Sequence, residues 1–375
     1  MPGLLKDVDP DGLLEYSVVY SDRSLNHMSQ TFQQVMRGIS ANLKEAYQAA
    51  AVVVVPGSGT YGMEAVARQF ATDRNCLVIR NGFFSFRWSQ IFDMGQIPTS
   101  ETVLMARQLS DETQAPFEPA PIEEVVAMIE AEKPDLVFAP HVETSAGMVL
   151  PDSYLKAVAE AVHAHGGLFV LDCIASGAVL VNMKEVGVDV LISAPQKGWS
   201  ASPCCGVVML SEAALTRLDE TQSSSFACDL KKWHQIMQAY ENGAHAYHCT
   251  MPTDSLVKFG EVIEEMKSIG FDNIQSMQVA LGERIREMLE SNGFKSVANE
   301  GYKAAGVVVS YTSDPEIQNG KKFAGTGVQI AGGVPLKIGE REDFQTFRIG
   351  LFGLEKLQNP DRTVESLRAA IEELG

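Results

Sequence analysis

The chain is short of positive charge, of cysteine pairs and of long apolar runs, and each shortage excludes something. Thirty lysines and arginines stand against 48 aspartates and glutamates, a formal charge of −18. A basic face that grips nucleic acid is therefore not expected, and an anionic ligand has to be held by local cations. No apolar run approaches the roughly 20 residues of a membrane helix. The opening MPGLLKDVDPDG lacks the basic-then-apolar pattern of a secretory signal. Cys76, Cys173, Cys204, Cys205, Cys228 and Cys249 form no C-x-x-C pair, so reduced thiols and a cytoplasmic location are expected. His141, His163 and His165 have no H-E-x-x-H or comparable spacing, and no metal site is expected. Neither an internal repeat nor a low-complexity stretch is present.

What the chain does have is an ordinary globular composition, 45% hydrophobic and 21% charged over 375 residues. That length supports one large domain and one smaller one. Short apolar runs at Ala51–Val55, Cys76–Ile79, Pro134–Ala139, Leu168–Asp172, Val188–Ser193 and Gly206–Leu210 predict buried strands. Helical patterns at 29–50 and Ser153–His165 fall among them, and Met63, Val66, Ala67 and Phe70 share one helical face. Strands alternating with helices predict an α/β fold, a mainly parallel sheet with helices on both faces. From Pro252 the pattern changes to helices 254–269 and 275–291, a strand at Gly306–Thr312 and a last helix at 361–374. The expected division is an N-terminal arm at 1–28, a large domain at 29–254 and a smaller C-terminal α+β domain at 255–375.

Gly57-Ser58-Gly59-Thr60-Tyr61-Gly62 matches G-x-G-x-x-G between a strand and a helix. Amides at such a helix N-terminus seat a phosphate, and small residues let it come close. The next strand ends in Arg80-Asn81 with no acidic residue for a ribose, although an arginine there suits a 2′-phosphate. A tight turn that uses glycine for geometry alone is the plainer alternative.

Asp172 ends one predicted strand, and Lys197 follows another 25 residues later. Both fall on the rim where open α/β sheets bind ligands. Alone, such a lysine is usually a surface residue and such an aspartate a helix cap. Together, beside a phosphate seat, they supply the anchors that pyridoxal 5′-phosphate requires. The amine forms the Schiff base, and the carboxylate keeps the pyridine nitrogen protonated so that the ring acts as an electron sink.

In their order these motifs resemble the class V branch of the fold-type I pyridoxal phosphate enzymes, the alanine–glyoxylate and serine–pyruvate aminotransferases in particular. The resemblance spans roughly residues 27–355. It implies that Ser58, Gly59 and Thr60 form the phosphate loop and that Phe84, in Asn81-Gly82-Phe83-Phe84, stacks on the cofactor ring. Ser145, in Glu143-Thr144-Ser145-Ala146-Gly147, would hydrogen-bond cofactor or substrate. Ile174, in Asp172-Cys-Ile-Ala-Ser176, would pack on the other ring face, with Gln196 turned to the phosphate beside Lys197. Tyr247 and Thr250 match a Y-x-x-T element that reaches a neighbouring subunit's phosphate, which implies a homodimer with shared sites. Arg348, in Phe347-Arg348-Ile349-Gly350, would clamp a substrate carboxylate, a bidentate task that suits guanidinium.

The implied reaction is transfer of an amino group from a small amino acid, alanine or serine for example, to a 2-oxo acid such as glyoxylate or pyruvate. One departure concerns the substrate pocket. The family's Gly-Pro-containing opening loop is replaced by Leu14-Glu-Tyr-Ser-Val-Val-Tyr-Ser-Asp-Arg23, which makes Tyr20 and Arg23 candidates for lining it. The alternatives are a cysteine desulfurase or another class V lyase, and an NADP-dependent dehydrogenase. Desulfurases typically carry histidine where this chain has Gln196. The dehydrogenase reading leaves Lys197 and Asp172 unexplained.

Overall fold

The computed structural model describes residues 11–374. At its centre lies a seven-stranded sheet. Its strands are β1 (Ala51–Pro56), β2 (Asn75–Arg80), β3 (Ser100–Met105), β4 (Leu136–Pro140), β5 (Leu168–Asp172), β6 (Val190–Ser193) and β7 (Cys205–Leu210). Their order is β1-β7-β6-β5-β4-β2-β3. Neighbours run parallel except at β7, which is antiparallel to both β1 and β6. The inner strands are buried on both faces, which is why they read as continuous apolar runs.

Sequence and structure differ at β3 and at the start of β6. Ser100, Glu101 and Met105 are exposed, as suits an edge strand, so no apolar run marks β3. The run expected from Val188 begins at Val190. The Val188 amide instead bonds back to Met183 O and closes the short helix Met183–Val186 at Gly187, in left-handed conformation.

Before the sheet, α1 (Gln30–Tyr47) is capped by Ser29, whose hydroxyl accepts from the Phe32 amide. It buries Phe32, Met36, Ile39 and Leu43, a stripe at helical spacing. The helix Thr253–Ile269 packs against it, with Gly260 facing Val35 and Ile39. A three-stranded sheet lies further along the chain, made of β8 (Val307–Tyr311), β9 (Ala331–Gly332) and β10 (Thr346–Gly350) in the order β8-β10-β9. Among the described residues no helix is long and apolar enough to cross a membrane.

The register of β5 with β6 pairs Asp172 with Ile192, so both strands end at the same rim. Beyond β6 the chain turns through Ala194 and Pro195 and passes very close to the loop after β5. A Cβ on Gly198 would lie 1.8 Å from Gly177 O. Trp199 is then buried against the rings of Tyr47, Phe259 and Phe271. Ser200 Oγ accepts the Leu354 amide at 3.0 Å and ties the loop to the C-terminal part of the chain.

Gly198→Ala should therefore destabilise the protein by about 1–3 kcal/mol or more, the usual cost of overpacking. Gly325→Ala, whose Cβ would meet nothing within 4 Å, should be close to neutral. Urea unfolding of the two variants tests this, and equal midpoints would refute the close approach.

Candidate active site

β1 delivers the chain to Gly57, at φ +128, where a side chain would strike the Tyr61 ring at 2.6 Å. The helix α2 (Gly59–Val66) starts at once, and Ser58 gives it no side-chain cap. Its first-turn amides are the groups that an anion satisfies. A Cβ on Gly59 would lie 2.6 Å from Ile174 Cδ1, so the Ile174 side chain rests directly on this turn. Gly62 lets α2 pack against Gly206 of β7. Met63, Val66, Ala67 and Phe70 are all buried beneath.

A cation stands at the same turn. Arg87 lies in the first turn of α3 (Phe86–Gly95) and donates from Nη1 to Thr60 Oγ1 at 3.0 Å. Its guanidinium carbon is 5.3 Å from the Phe84 ring centre. Arg348, on β10, lies 5.6 Å from that ring, so Phe84 carries two guanidiniums. Arg80, considered above for a 2′-phosphate, is buried, bonded to Ser89 Oγ and stacked on Phe86 at 4.6 Å.

Asp172 is 8% exposed and accepts the Ile174 amide at 2.9 Å. Burial pushes its carboxyl up from 3.8 to about 6, and the nearby Glu143 adds to this while Arg87 and Lys197 oppose it. The Lys197 amine is held below its ordinary range, chiefly by burial and then by Arg348 and Arg87, with Asp172 acting the other way. Its Nζ lies 5.2 Å from the Phe352 ring centre and forms no ion pair among the described residues. Burial first, and the two arginines after it, favour the neutral, nucleophilic form of this amine. Arg348 is itself anchored by Nε to Gly332 O at 2.8 Å.

Ser145 is wholly buried: its hydroxyl donates to Glu143 Oε1 at 2.7 Å and accepts the Phe83 amide at 3.0 Å. Gln196 Oε1 is buried without a hydrogen-bond partner among the described residues. Tyr20, Tyr247 and Thr250 gather elsewhere. Tyr20 donates to Met251 O at 3.2 Å, and Tyr247 pairs with Thr250 at 3.1 Å. The rings of Tyr20 and Tyr247 both flank His27. None of the three shares a hydrogen bond or ring contact with Lys197, Asp172, Phe84 or Arg348.

Arg87, Glu143 and Phe352 are the residues that motif reading passed over. Arg87 had a signal: three residues after Phe84 at the start of a helical pattern, it sits beside that ring. Phe352 lies four residues past Arg348, on the same side of an extended chain. Glu143 was visible only as the first letter of a motif.

The sheet order, the glycine turn and the lysine rim define a fold-type I pyridoxal phosphate transferase. The chain belongs to the aminotransferase class-V family, whose model matches residues 13–312. It is 25% identical over 362 residues to alanine–glyoxylate aminotransferase of Rattus norvegicus, covering 93% of this chain and 83% of that one. It is 26% identical over 360 residues to the soluble hydrogenase small subunit of a Synechococcus species, covering 94% and 88%. In fold it is similar to alanine–glyoxylate aminotransferase of a Nostoc species, with a TM-score of 0.77, 22% identity and coverage of 93% and 89%.

The family implies pyridoxal phosphate, and the residues present fit it. An uncapped helix turn with a cation suits the phosphate, an unpaired amine suits the aldehyde, and a buried carboxylate suits the ring nitrogen.

Asp172 carries a consequence for stability. A carboxyl raised on folding costs stability as pH climbs through its unfolded and then its folded value, and the full cost applies above about 6. Cofactor-free Asp172→Asn should be more stable than the parent at pH 8, by up to about 3 kcal/mol. The gain should vanish near pH 4. Urea unfolding at both pH values checks this, and an equal gain at each would assign it to packing instead.

Proposed function

We propose that this chain is a pyridoxal phosphate-dependent aminotransferase that moves an amino group from a small amino acid, alanine or serine for example, to a 2-oxo acid such as glyoxylate or pyruvate. The observation that carries the reading is that Arg87 and Arg348 meet on Phe84 while Lys197 and Asp172 lie within electrostatic reach of Arg87 and of each other. When bound, pyridoxal phosphate supplies an electrophilic carbon for amines and a sink for the electrons left at the substrate Cα.

The protein's own groups do the rest. Ser58, Gly59, Thr60, Gln196 and Arg87 hold the phosphate. Asp172 would accept the pyridine N–H, and Phe84 and Ile174 would offer apolar surfaces to the ring. Lys197 would be the covalent anchor, and its Nζ, once free, would take the proton from the donor Cα. Arg348, tied down at Nε, leaves both terminal nitrogens for a bidentate grip on the substrate carboxylate. Fixing that carboxylate fixes which bond at Cα faces Lys197.

The active unit in this reading is a cytoplasmic homodimer. Tyr247 is 54% exposed and Val18 fully so, and Leu13, Leu14 and Tyr16 extend the same exposed apolar N-terminal stretch. A second copy covering these residues brings Tyr247 and Thr250 to its phosphate and lets Tyr20 line a pocket. The free thiols suit a reducing compartment.

The test is Lys197→Ala. It should lose the visible absorption band of the cofactor-loaded protein and lower transamination about 1,000-fold or more. A screen of alanine, serine and aspartate against glyoxylate, pyruvate and 2-oxoglutarate identifies the pair used. Turnover of donor at the parent rate in Lys197→Ala would refute the mechanism. Sulfide release from cysteine would favour a desulfurase.

A further inference from the structure

Outside the ligand-facing groups, the most heavily bonded side chain near the site is Glu143. It is wholly buried, with no ion pair among the described residues. Its two oxygens accept five hydrogen bonds, from the Phe84, Ser85 and Ser145 amides and from the Ser85 and Ser145 hydroxyls. The Phe83 amide is reached one step removed, through Ser145 Oγ. The whole turn that presents Phe84 therefore hangs on one carboxylate. The packing permits nothing looser: a Cβ on Gly82 would lie 2.2 Å from Ser145 Oγ and 2.8 Å from Glu143 Cγ.

We propose that Glu143 is the positioning residue of the ring-stacking segment, and that Ser145 acts on that segment through Glu143. The inference rests on the cofactor reading given above. A hydroxyl has one proton to give, and that of Ser145 is directed at Glu143 Oε1, 2.7 Å away. One of its acceptor positions is taken by Phe83. Burying a carboxylate costs several kcal/mol unless its lone pairs are met, so a group this well satisfied makes a stiff hub. Stiffness is what a stacking ring needs, because a ring displaced by an ångström no longer matches its partner. Glu143 also acts across the pocket on the two charged groups that face it, attracting Arg348 and opposing ionisation of Asp172.

The experiment uses the full chain freed of cofactor, titrated with pyridoxal phosphate and followed by the visible band. Glu143→Gln should bind about 10- to 100-fold more weakly, because an amide cannot accept at both ends and leaves buried donors unmet. Ser145→Ala should lose less, and the double variant should be no worse than Glu143→Gln alone, as expected for one network.

A second readout separates this from loose structural damage. With Glu143 neutral, the acid limb of cofactor binding should move to lower pH, since Asp172 then loses a negative neighbour and keeps Arg87, Lys197 and the Ile174 amide. Parent-like affinity in Glu143→Gln, an unmoved acid limb, or losses that multiply in the double variant would overturn the inference. If Glu143→Gln does not fold, Ser85→Ala and Ser145→Ala, singly and together, carry the same test through less-than-multiplicative losses. A parent protein that binds no pyridoxal phosphate overturns the cofactor reading and this inference with it, whereas the outcomes above overturn the inference alone.

Discussion

The site depends on how near the lysine loop can come to the loop after β5. Gly198 passes Gly177 so closely that a Cβ would sit 1.8 Å from its carbonyl oxygen. This approach sets Lys197 over the end of the sheet instead of out in solvent. It also fixes the neighbours of the amine. Gly177 approaches Gly306, and a Cβ at Gly306 would lie 3.2 Å from the Phe352 ring, the ring that Lys197 overlies. Glycine at 198 is a matter of clearance between backbones, and Gly177, at φ +68, also uses the left-handed conformation that glycine adopts freely. The same logic holds at α2, where Gly59 meets Ile174 and Gly62 meets Gly206.

Given that framework, electrostatics makes the rim unlike the rest of the molecule. The chain carries a charge of −18, yet Lys197 stands among Arg348 and Arg87, with Asp172 buried beside them. Both ionisable partners are pushed toward their neutral forms, mainly by loss of water. Such a site is costly when bare and gains most from a ligand carrying an anion and a protonated nitrogen. Pyridoxal phosphate carries both. Structural stability and ligand affinity thus pull in opposite directions at Asp172, which is common where function requires a buried charge.

Much of this was legible in the sequence. Apolar runs marked the central strands because both faces are covered, and the run ending at Asp172 agreed with β5 at both ends. Lys197 and Asp172 could be proposed because the chemistry of each needs that residue type, and Phe84, Ile174 and Arg348 were added by the family resemblance. Arg87 and Glu143 were less visible because their roles lie in what they touch. An arginine on a helix and a glutamate after a strand are commonplace until the fold sets one beside Thr60 and the other under Phe84. β3 was hidden for a simpler reason, since an edge strand need not be apolar on both faces. Sequence order likewise said nothing about β7 running against its neighbours, because antiparallel and parallel strands share the same apolar signature.

Ser145 shows how a motif residue can also serve a site from behind. Its position in a recurring segment suggests direct contact with a ligand, but its hydroxyl is engaged on both sides by Glu143 and the Phe83 amide. A serine can be indispensable to a site because it completes the hydrogen-bonding of a buried carboxylate. Tyr247 and Thr250 make the converse case. They are bonded to each other at the surface, with no tie to the lysine rim of their own chain. Residues that exposed and that polar gain a reason to be ordered only when something else docks on them. In the proposed dimer that partner would be the phosphate seat of a second copy, and one chain would then hold the parts of two half-sites.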